Sequence, residues 1–239
     1  MDQKLSDFDT PQERRVFLEE KLNIKLLHIG KTGLSRTEKV FCENLIGATA
    51  IPLGVAGPIH IKGEKIEGDY YIPLATTEGA LVASVSRGGK AVSMSGGILT
   101  GVELVGVTRG PVFEVDNISE GLKFKKWVHN NFQLLQKESK KTSSHIALLK
   151  SEVRMVGTYV YIRLYFDCDQ AMGMNMVTIA TEKIAEVIKK ETKIRCISIS
   201  GNYCVDKKPS WLNFISGRGR QVWAQAVIKQ DVLKKVLKT

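Results

Sequence analysis

Glu78 stands in Pro73-Leu-Ala-Thr-Thr-Glu-Gly-Ala-Leu-Val-Ala-Ser84, between a threonine pair and a glycine at the mouth of an apolar run, with no cation within four positions. Burial can raise the pKa of a carboxyl group in such surroundings until it donates a proton near neutrality. The other reading is a carboxylate at a helix start, favoured there by the helix dipole. Arg87, Lys90, Arg109 and the late Asp206-Lys207-Lys208 add cations. One acid among several cations suits an anionic acyl substrate: the acid supplies a proton, and an ammonium offsets charge that develops on a carbonyl oxygen.

Two other strings carry chemistry. Ser200-Gly-Asn-Tyr-Cys-Val-Asp-Lys-Lys-Pro209 leaves a predicted inner strand and ends at a proline. It reads as an ordered loop able to aim Lys207 at a site, or as a solvated Lys-Lys turn. Asp167-Cys-Asp-Gln-Ala-Met-Gly-Met-Asn-Met176 leads from a strand into a helix, with Gly173 where a ligand could approach the backbone. Free amides at a helix start favour phosphate, while a methionine-rich core face fits the same periodicity. Asp167 and Asp169 would repel a phosphate unless turned away. Gly217-Arg-Gly-Arg-Gln-Val222 lacks the third glycine of a dinucleotide fingerprint. Gly30-Lys31-Thr32 lacks a phosphate loop's first glycine, Lys25 standing five residues before Gly30.

The elements that must position these residues belong to a chain of 239 residues, 43% hydrophobic and 25% charged, which is the balance of a folded domain or two. The net charge of +10 raises the question of nucleic acid. The basic pairs Lys125-Lys126, Lys140-Lys141, Lys189-Lys190 and Lys234-Lys235 fall on or beside predicted helices as solvated faces. The aromatic stacking string of an RNA-binding sheet is missing, so no nucleic acid is expected; a phosphate-rich small ligand accounts for the charge equally well. No apolar run reaches the ~18 residues of a membrane helix, and Met1-Asp-Gln-Lys lacks a secretory layout, so a cytoplasmic protein without membrane contact is expected. Cys42, Cys168, Cys196 and Cys204 are far apart, and His28, His60, His129 and His145 show no ligand spacing. Free thiols and no metal are expected.

Thr10-Pro11-Gln12-Glu13 predicts a capping-box helix start in a helical lead-in over residues 1–40. Glycines and prolines between residues 41 and 75 predict turns and short strands, and the small-residue run from Ala80 to Ser93 predicts a buried helix. From Pro111 the pattern reads strand (Val112–Val115), helix (Ile118–Gln136), strands (Ile146–Val156 and Tyr159–Phe166), helix (Met172–Lys190), strand (Arg195–Ile199). That β-α-β-β-α-β order is the ferredoxin-like arrangement. The fold class is therefore α+β: a helix-centred large domain (41–110 and 200–239) with an inserted ferredoxin-like small domain (111–199). A strand and a basic helix are predicted within Val222–Leu237, and the chain stops at Lys238-Thr239 with no glycine or proline to close that helix, as though cut short.

Glu43-Asn-Leu-Ile-Gly47, Pro52-Leu-Gly-Val-Ala-Gly-Pro58, Ala75-Thr-Thr-Glu-Gly79, Thr108-Arg-Gly-Pro111, Ala171-Met-Gly-Met-Asn-Met176 and Gly201-Asn-Tyr-Cys-Val-Asp-Lys-Lys-Pro209 together resemble 3-hydroxy-3-methylglutaryl-coenzyme A reductase, of the class that makes mevalonate. The resemblance runs from about residue 41 to the end. It implies a two-step reduction of the thioester to mevalonate and CoA by NADPH, in a homodimer whose active site lies between subunits, with the inserted unit holding the dinucleotide. By motif it gives Glu78 as catalytic acid and Lys207 as the lysine that stabilises the oxyanion. Arg109, Ser200, Asp206 and Lys208 match residues that hold the hydroxymethylglutaryl group. Ser84, Arg87 and Lys238 match the coenzyme A side, and Glu43–Gly47 matches a segment at the subunit contact.

The resemblance also gives Ser143, Ser144, His145, Gln170, Ala171, Met172, Gly173, Met174 and Asn175 as cofactor residues, with two departures. Asp169-Gln170 stands where the family has Gly-Asp, and Ser143-Ser144-His145 where it has the Ser-Arg-Phe that meets the 2′-phosphate. Lys140 or Lys141 would have to substitute for that arginine, and NADH is not excluded. The family's catalytic aspartate, glycine-rich second half and late histidine should lie beyond Thr239. The chain is thus expected to be the first part of a longer enzyme, and 1–239 alone is expected not to oxidise NADPH. The alternative from another class is a non-catalytic CoA or dinucleotide-binding module.

Overall fold

A computed structural model describes residues 7–28 and 42–239. Gly30-Lys31-Thr32 and part of the predicted 1–40 lead-in lie outside the described residues. The chain divides into two compact units, Met1–Ile98 with Ala226–Thr239, and Leu99–Gln225. Both helices and sheet are present, a mixed α+β protein. No helix among the described residues is long and apolar enough to cross a membrane.

The first unit opens with α1 (Pro11–Leu22), started by the predicted capping box. The Glu13 amide donates to Thr10 Oγ1 (3.2 Å), and the Thr10 amide donates to Glu13 Oε2 (2.9 Å). Arg14 donates to the Leu45 carbonyl at 3.2 Å and Arg15 to that of Ile46, so α1 holds the Glu43–Gly47 string by its backbone. Strands β1 (Leu53–Gly63) and β2 (Glu67–Ala75) form an antiparallel pair whose register slips between Ala56 and Ile59, around Gly57-Pro58. Helix α2 (Leu81–Met94) lies against β1. Two glycines set how close it comes: a Cβ on Gly89 would sit 2.7 Å from Ile59 Cγ1, and one on Gly54 2.8 Å from Val82 Cγ2. Sequence predicted a buried helix here, but only Gly89 and Ala91 are buried. Its small residues serve that one close contact, and Ser84, Arg87 and Lys90 occupy the open side.

The second unit begins with β3 (Ile98–Arg109), which pairs antiparallel with β8 (Gly219–Gln225). Strand β4 (Val112–Glu114), helices α3 (Ile118–Asn130) and α4 (Phe132–Lys140), strands β5 (Ala147–Val156) and β6 (Tyr159–Asp167), helix α5 (Met174–Thr192) and strand β7 (Arg195–Ser198) follow. Their antiparallel pairing gives the spatial order β5–β6–β4–β7. The end of β3 continues the line of β4 along β6, with Val107 to Arg109 opposite Phe166 to Leu164. The single helix predicted over Ile118–Gln136 is two, broken at Asn131, whose side-chain amide donates to the Trp127 carbonyl (2.9 Å). Strand β3 and helix α6 (Trp211–Ser216) had no counterpart in the sequence reading. Gly101 and Gly106 interrupt the apolar run of β3, and α6 is shorter than two turns.

The alternation of β6 builds two layers. Val160, Ile162, Leu164 and Phe166 face one way, into a core with Phe113, Phe124, Val128, Leu135, Val177, Ile184 and Ile188. Arg163 and Tyr165, of opposite parity, are also fully buried. The segment after β7 covers that second face: Arg163 donates to Asn213 Oδ1 and the Gly217 carbonyl, and Tyr203 packs edge-on against Tyr161. Leu99–Gly110 and Ser200–Gln225 therefore belong to the same compact unit as 111–199.

The Thr10 backbone amide and then its hydroxyl hold the Glu13 carboxyl below the usual carboxylate range. A depressed folded-state pKa stabilises α1 at pH values above the unfolded value, and the contribution is lost as pH falls through the folded one. Helical NMR shifts of residues 12–20 are expected to weaken in that acid window. Thr10→Ala, removing a cap typically worth about 1 kcal/mol, is expected to lower them already at neutral pH and to shrink the acid step, since the hydroxyl is lost while the backbone amide that donates to Glu13 remains; an unchanged acid step would contradict the capping account.

Candidate active site

The loop from Ser200 to Pro209 is held by backbone and small residues rather than by its lysines. The Thr108 hydroxyl, fully buried at the end of β3, donates to the Cys204 carbonyl at 2.8 Å. The Gly201 amide donates to the Gly110 carbonyl at 2.7 Å. Neither glycine has room for a side chain: a Cβ on Gly201 would lie 1.8 Å from Val112 Cγ2, and one on Gly110 2.7 Å from the Cys204 nitrogen. Ser200 Oγ lies 3.4 Å from Cys204 Sγ. This close packing pins the loop to the β3–β4 junction and leaves Lys207 and Lys208 exposed.

The two lysines differ. Lys208 donates to Asn202 Oδ1 at 2.8 Å, while the Lys207 ammonium has no partner among the described residues. Lys207 also has a left-handed backbone, φ 53°. Asp206 pairs with Arg218 at 2.7 Å, their side chains only 22% and 18% exposed. Arg218 Nε donates to Thr108 Oγ1 (3.1 Å), and its Nη2 also reaches Met174 Sδ (3.1 Å) in the first turn of α5. One guanidinium thus connects β3, the Lys207 loop and the start of α5. Arg109 ends β3 half-buried, its Nε buried without a hydrogen-bond partner among the described residues.

The two stretches expected to meet a dinucleotide come together in this unit. His145 Nδ1 lies 3.1 Å from Asp169 Oδ2, joining Ser143-Ser144-His145 to the loop before α5. Asp169 is thereby occupied by an imidazole. Lys140 donates to the Ser144 carbonyl at 2.7 Å, whereas Lys141 is paired with Glu138 at 2.5 Å, so of the two candidate substitutes Lys140 sits on the segment. Gly173 caps α5 with φ 73°, and no side chain caps the first-turn amides. A Cβ on Gly173 would stand 2.5 Å from Cys168 Sγ, whose thiol burial pushes up, making it packing behind the turn rather than a thiolate. Gln170, Ala171, Met172 and Asn175 are exposed around that turn and Met174 is buried. Open amides, a glycine cradle, Lys140, and Arg220, which donates to the Asp169 carbonyl at 3.3 Å, form a donor set that suits the phosphates of a dinucleotide.

The remaining candidates lie in the first unit. Glu78 is exposed just before α2, its amide accepted by Thr76 Oγ1 at 2.9 Å. Ser84 and Arg87 are one turn apart on α2. Lys238 caps a π-helical turn (Leu233–Leu237) that continues α7 (Gln230–Val232) and packs on α2, so the three coenzyme A candidates sit on elements in mutual contact. The predicted basic terminal helix is therefore a short helix with a π turn. Two open grooves of about 520 and 500 Å³ between α3 and β5 are lined by none of the predicted residues. Sequence reasoning missed Arg218 and Arg220: Gly217-Arg-Gly-Arg lacks the third glycine of a dinucleotide fingerprint, though Gly217 and Gly219 flank Arg218 and Gly219 precedes Arg220.

Residues 10–239 match the family model of hydroxymethylglutaryl-coenzyme A reductase. The chain belongs to that family. It is 46% identical over 230 residues to the 3-hydroxy-3-methylglutaryl-coenzyme A reductase of Pyrococcus horikoshii, covering 95% of this chain and 56% of that protein. To the reductase of Methanothermobacter thermautotrophicus it is 41% identical over 229 residues, 95% of this chain and 58% of that one. The chain thus spans little more than half the length of these reductases. A solved Streptococcus pneumoniae reductase superposes with a TM-score of 0.64 at 16% identity, covering 98% of this chain and 63% of that one. A class II reductase from the same organism, bound to NADPH, gives 0.60 at 16% identity, over 84% and 57%. At such identity the structural likeness speaks for the fold.

Arg218→Met would leave Asp206 mostly buried without its cation. Full burial of such a pair makes the loss 3–5 kcal/mol; with about a fifth of each side chain exposed, about 2 kcal/mol is expected. Urea unfolding measures it, and a loss under ~0.5 kcal/mol, the worth of an exposed pair, would contradict the linking role given to Arg218.

Proposed function

We propose that this chain supplies residues for the NADPH-dependent reduction of 3-hydroxy-3-methylglutaryl-CoA to mevalonate and CoA, within a homodimer in which Glu43–Gly47 lies at the subunit contact. On this reading 111–199 is a ferredoxin-like dinucleotide-binding insert, a view supported by the β5–β6–β4–β7 order with its helices on one face.

The observation that carries the cofactor assignment is the His145–Asp169 contact, because it draws two sequence-distant stretches to one uncapped helix start. NADPH, when bound there, supplies hydride. The chain's own residues bind and polarise. Open first-turn amides of α5 hold a phosphate, and Lys140 meets the 2′-phosphate in place of the family's arginine. Lys207, its ammonium free, offsets the negative charge that a thioester or aldehyde oxygen acquires on reduction, an effect worth several kcal/mol at a water-excluded site. Glu78 is the proton donor. The orphan Arg109 Nε, with Ser200, Asp206 and Lys208, takes the hydroxymethylglutaryl end, and Ser84, Arg87 and Lys238 take coenzyme A.

Calorimetric titration tests the assignment. The chain is expected to bind NADPH, and Lys140→Ala to weaken it about five- to tenfold, the loss of one charge-assisted contact, while leaving NADH unchanged. Hydroxymethylglutaryl-CoA is expected to bind more tightly than CoA alone, and Lys207→Met to erase part of that difference. Equal loss for both dinucleotides would overturn the role of Lys140. Equal affinity for CoA and its acyl thioester would favour the non-catalytic module.

A further inference from the structure

Asn213, at mid-length of α6, donates through Nδ2 to the carbonyls of Val205 (3.0 Å) and Lys208 (3.3 Å). Those carbonyls bracket Asp206 and Lys207. Between them the backbone is left-handed twice, at Val205 (φ 46°) and Lys207 (φ 53°), conformations a β-branched or long side chain keeps only when its surroundings impose them. The side-chain oxygen of the same amide accepts from Arg163 Nη2 at 2.9 Å. Arg163 is fully buried, has no carboxylate partner among the described residues, and also donates to the Gly217 carbonyl at 3.2 Å, at the end of α6. A guanidinium can only donate, so it fixes the oxygen of Asn213 toward the sheet and turns the NH2 toward the loop. The Asn213 backbone is set separately, its amide donating to Ser210 Oγ at 3.0 Å.

We infer that Asn213, oriented by Arg163, is a positioning residue for Lys207: a two-pronged clip that holds the loop so that Lys208 is tied to Asn202 while the Lys207 ammonium stays free to act. None of the residues named by resemblance includes this pair. The consequence for substrate rests on the reading of Lys207 as an acyl-group ligand; the clip itself does not.

Asn213→Asp separates positioning from stability. A carboxylate keeps an acceptor for Arg163, now as an ion pair, but presents no N–H to the Val205 and Lys208 carbonyls. Amide exchange at residues 205–208 is expected to accelerate roughly tenfold, the worth of two ordinary hydrogen bonds, with β6 exchange and the melting temperature unchanged or improved. Affinity for hydroxymethylglutaryl-CoA is expected to fall, with NADPH affinity unchanged. Loop exchange at the wild-type rate in a folded Asn213→Asp protein overturns the clip. Accelerated exchange with unaltered acyl-CoA affinity upholds the clip and removes Lys207 from the acyl site instead. Should the aspartate variant fail to fold, Asn213→Ser removes the same donors without burying a charge, and the same exchange rates decide.

Discussion

The ion pair between Arg218 and Asp206 is the interaction on which the arrangement of the second unit depends. Asp206 sits next to Lys207, and Arg218 touches the buried hydroxyl of Thr108 and the sulfur of Met174. A largely desolvated pair is costly to form and costlier to break, so it fixes geometry more than it adds net stability. Through it the loop, the long strand and the first turn of α5 share one set of contacts. The proposed acyl and dinucleotide ends of the site are then neighbours by construction.

A βαββαβ sheet with helices on one face has a second face to account for. Here Arg163 and Tyr165 occupy it, fully buried under the chain that follows β7. Burial foremost raises the Tyr165 phenol, which stays protonated and donates to Glu152 Oε1 at 3.0 Å. Among the described residues the Arg163 guanidinium has no counter-charge: Asn213 and the Gly217 carbonyl accept from its Nη2 and the Tyr165 ring lies 4.9 Å away, while Nε and Nη1 are buried without partners. That polar layer makes the reach of the loop specific in a way an apolar face would not.

Much of this was legible in the sequence because it rests on local rules. Thr10-Pro11-Gln12-Glu13 announced its capping box, and the periodicities of 112–199 gave its four strands and the long α5 within a few residues. What the sequence concealed depends on contacts between distant residues. The split at Asn131 is the local exception: its side-chain amide takes up the Trp127 carbonyl one turn back and competes with the continuing helix. Strand β3 carries Gly101 and Gly106, which weaken its alternation, and Gly106 is needed because a Cβ there would press to 3.1 Å on the Phe166 amide. Arg218 looked like part of a failed motif, and only the fold shows that its partners lie on three other segments. The pairing of His145 with Asp169, across 24 positions, could not be read from either string alone.

The most direct measurement of the central claim, that Arg218 makes the dinucleotide end and the Lys207 loop one body, is hydrogen exchange of the chain with and without NADPH. The account predicts that NADPH slows exchange both at residues 174–176 and at residues 203–208, the latter by about fivefold, the low end of couplings between linked sites. Protection confined to residues 174–176, with the loop unchanged, would contradict it.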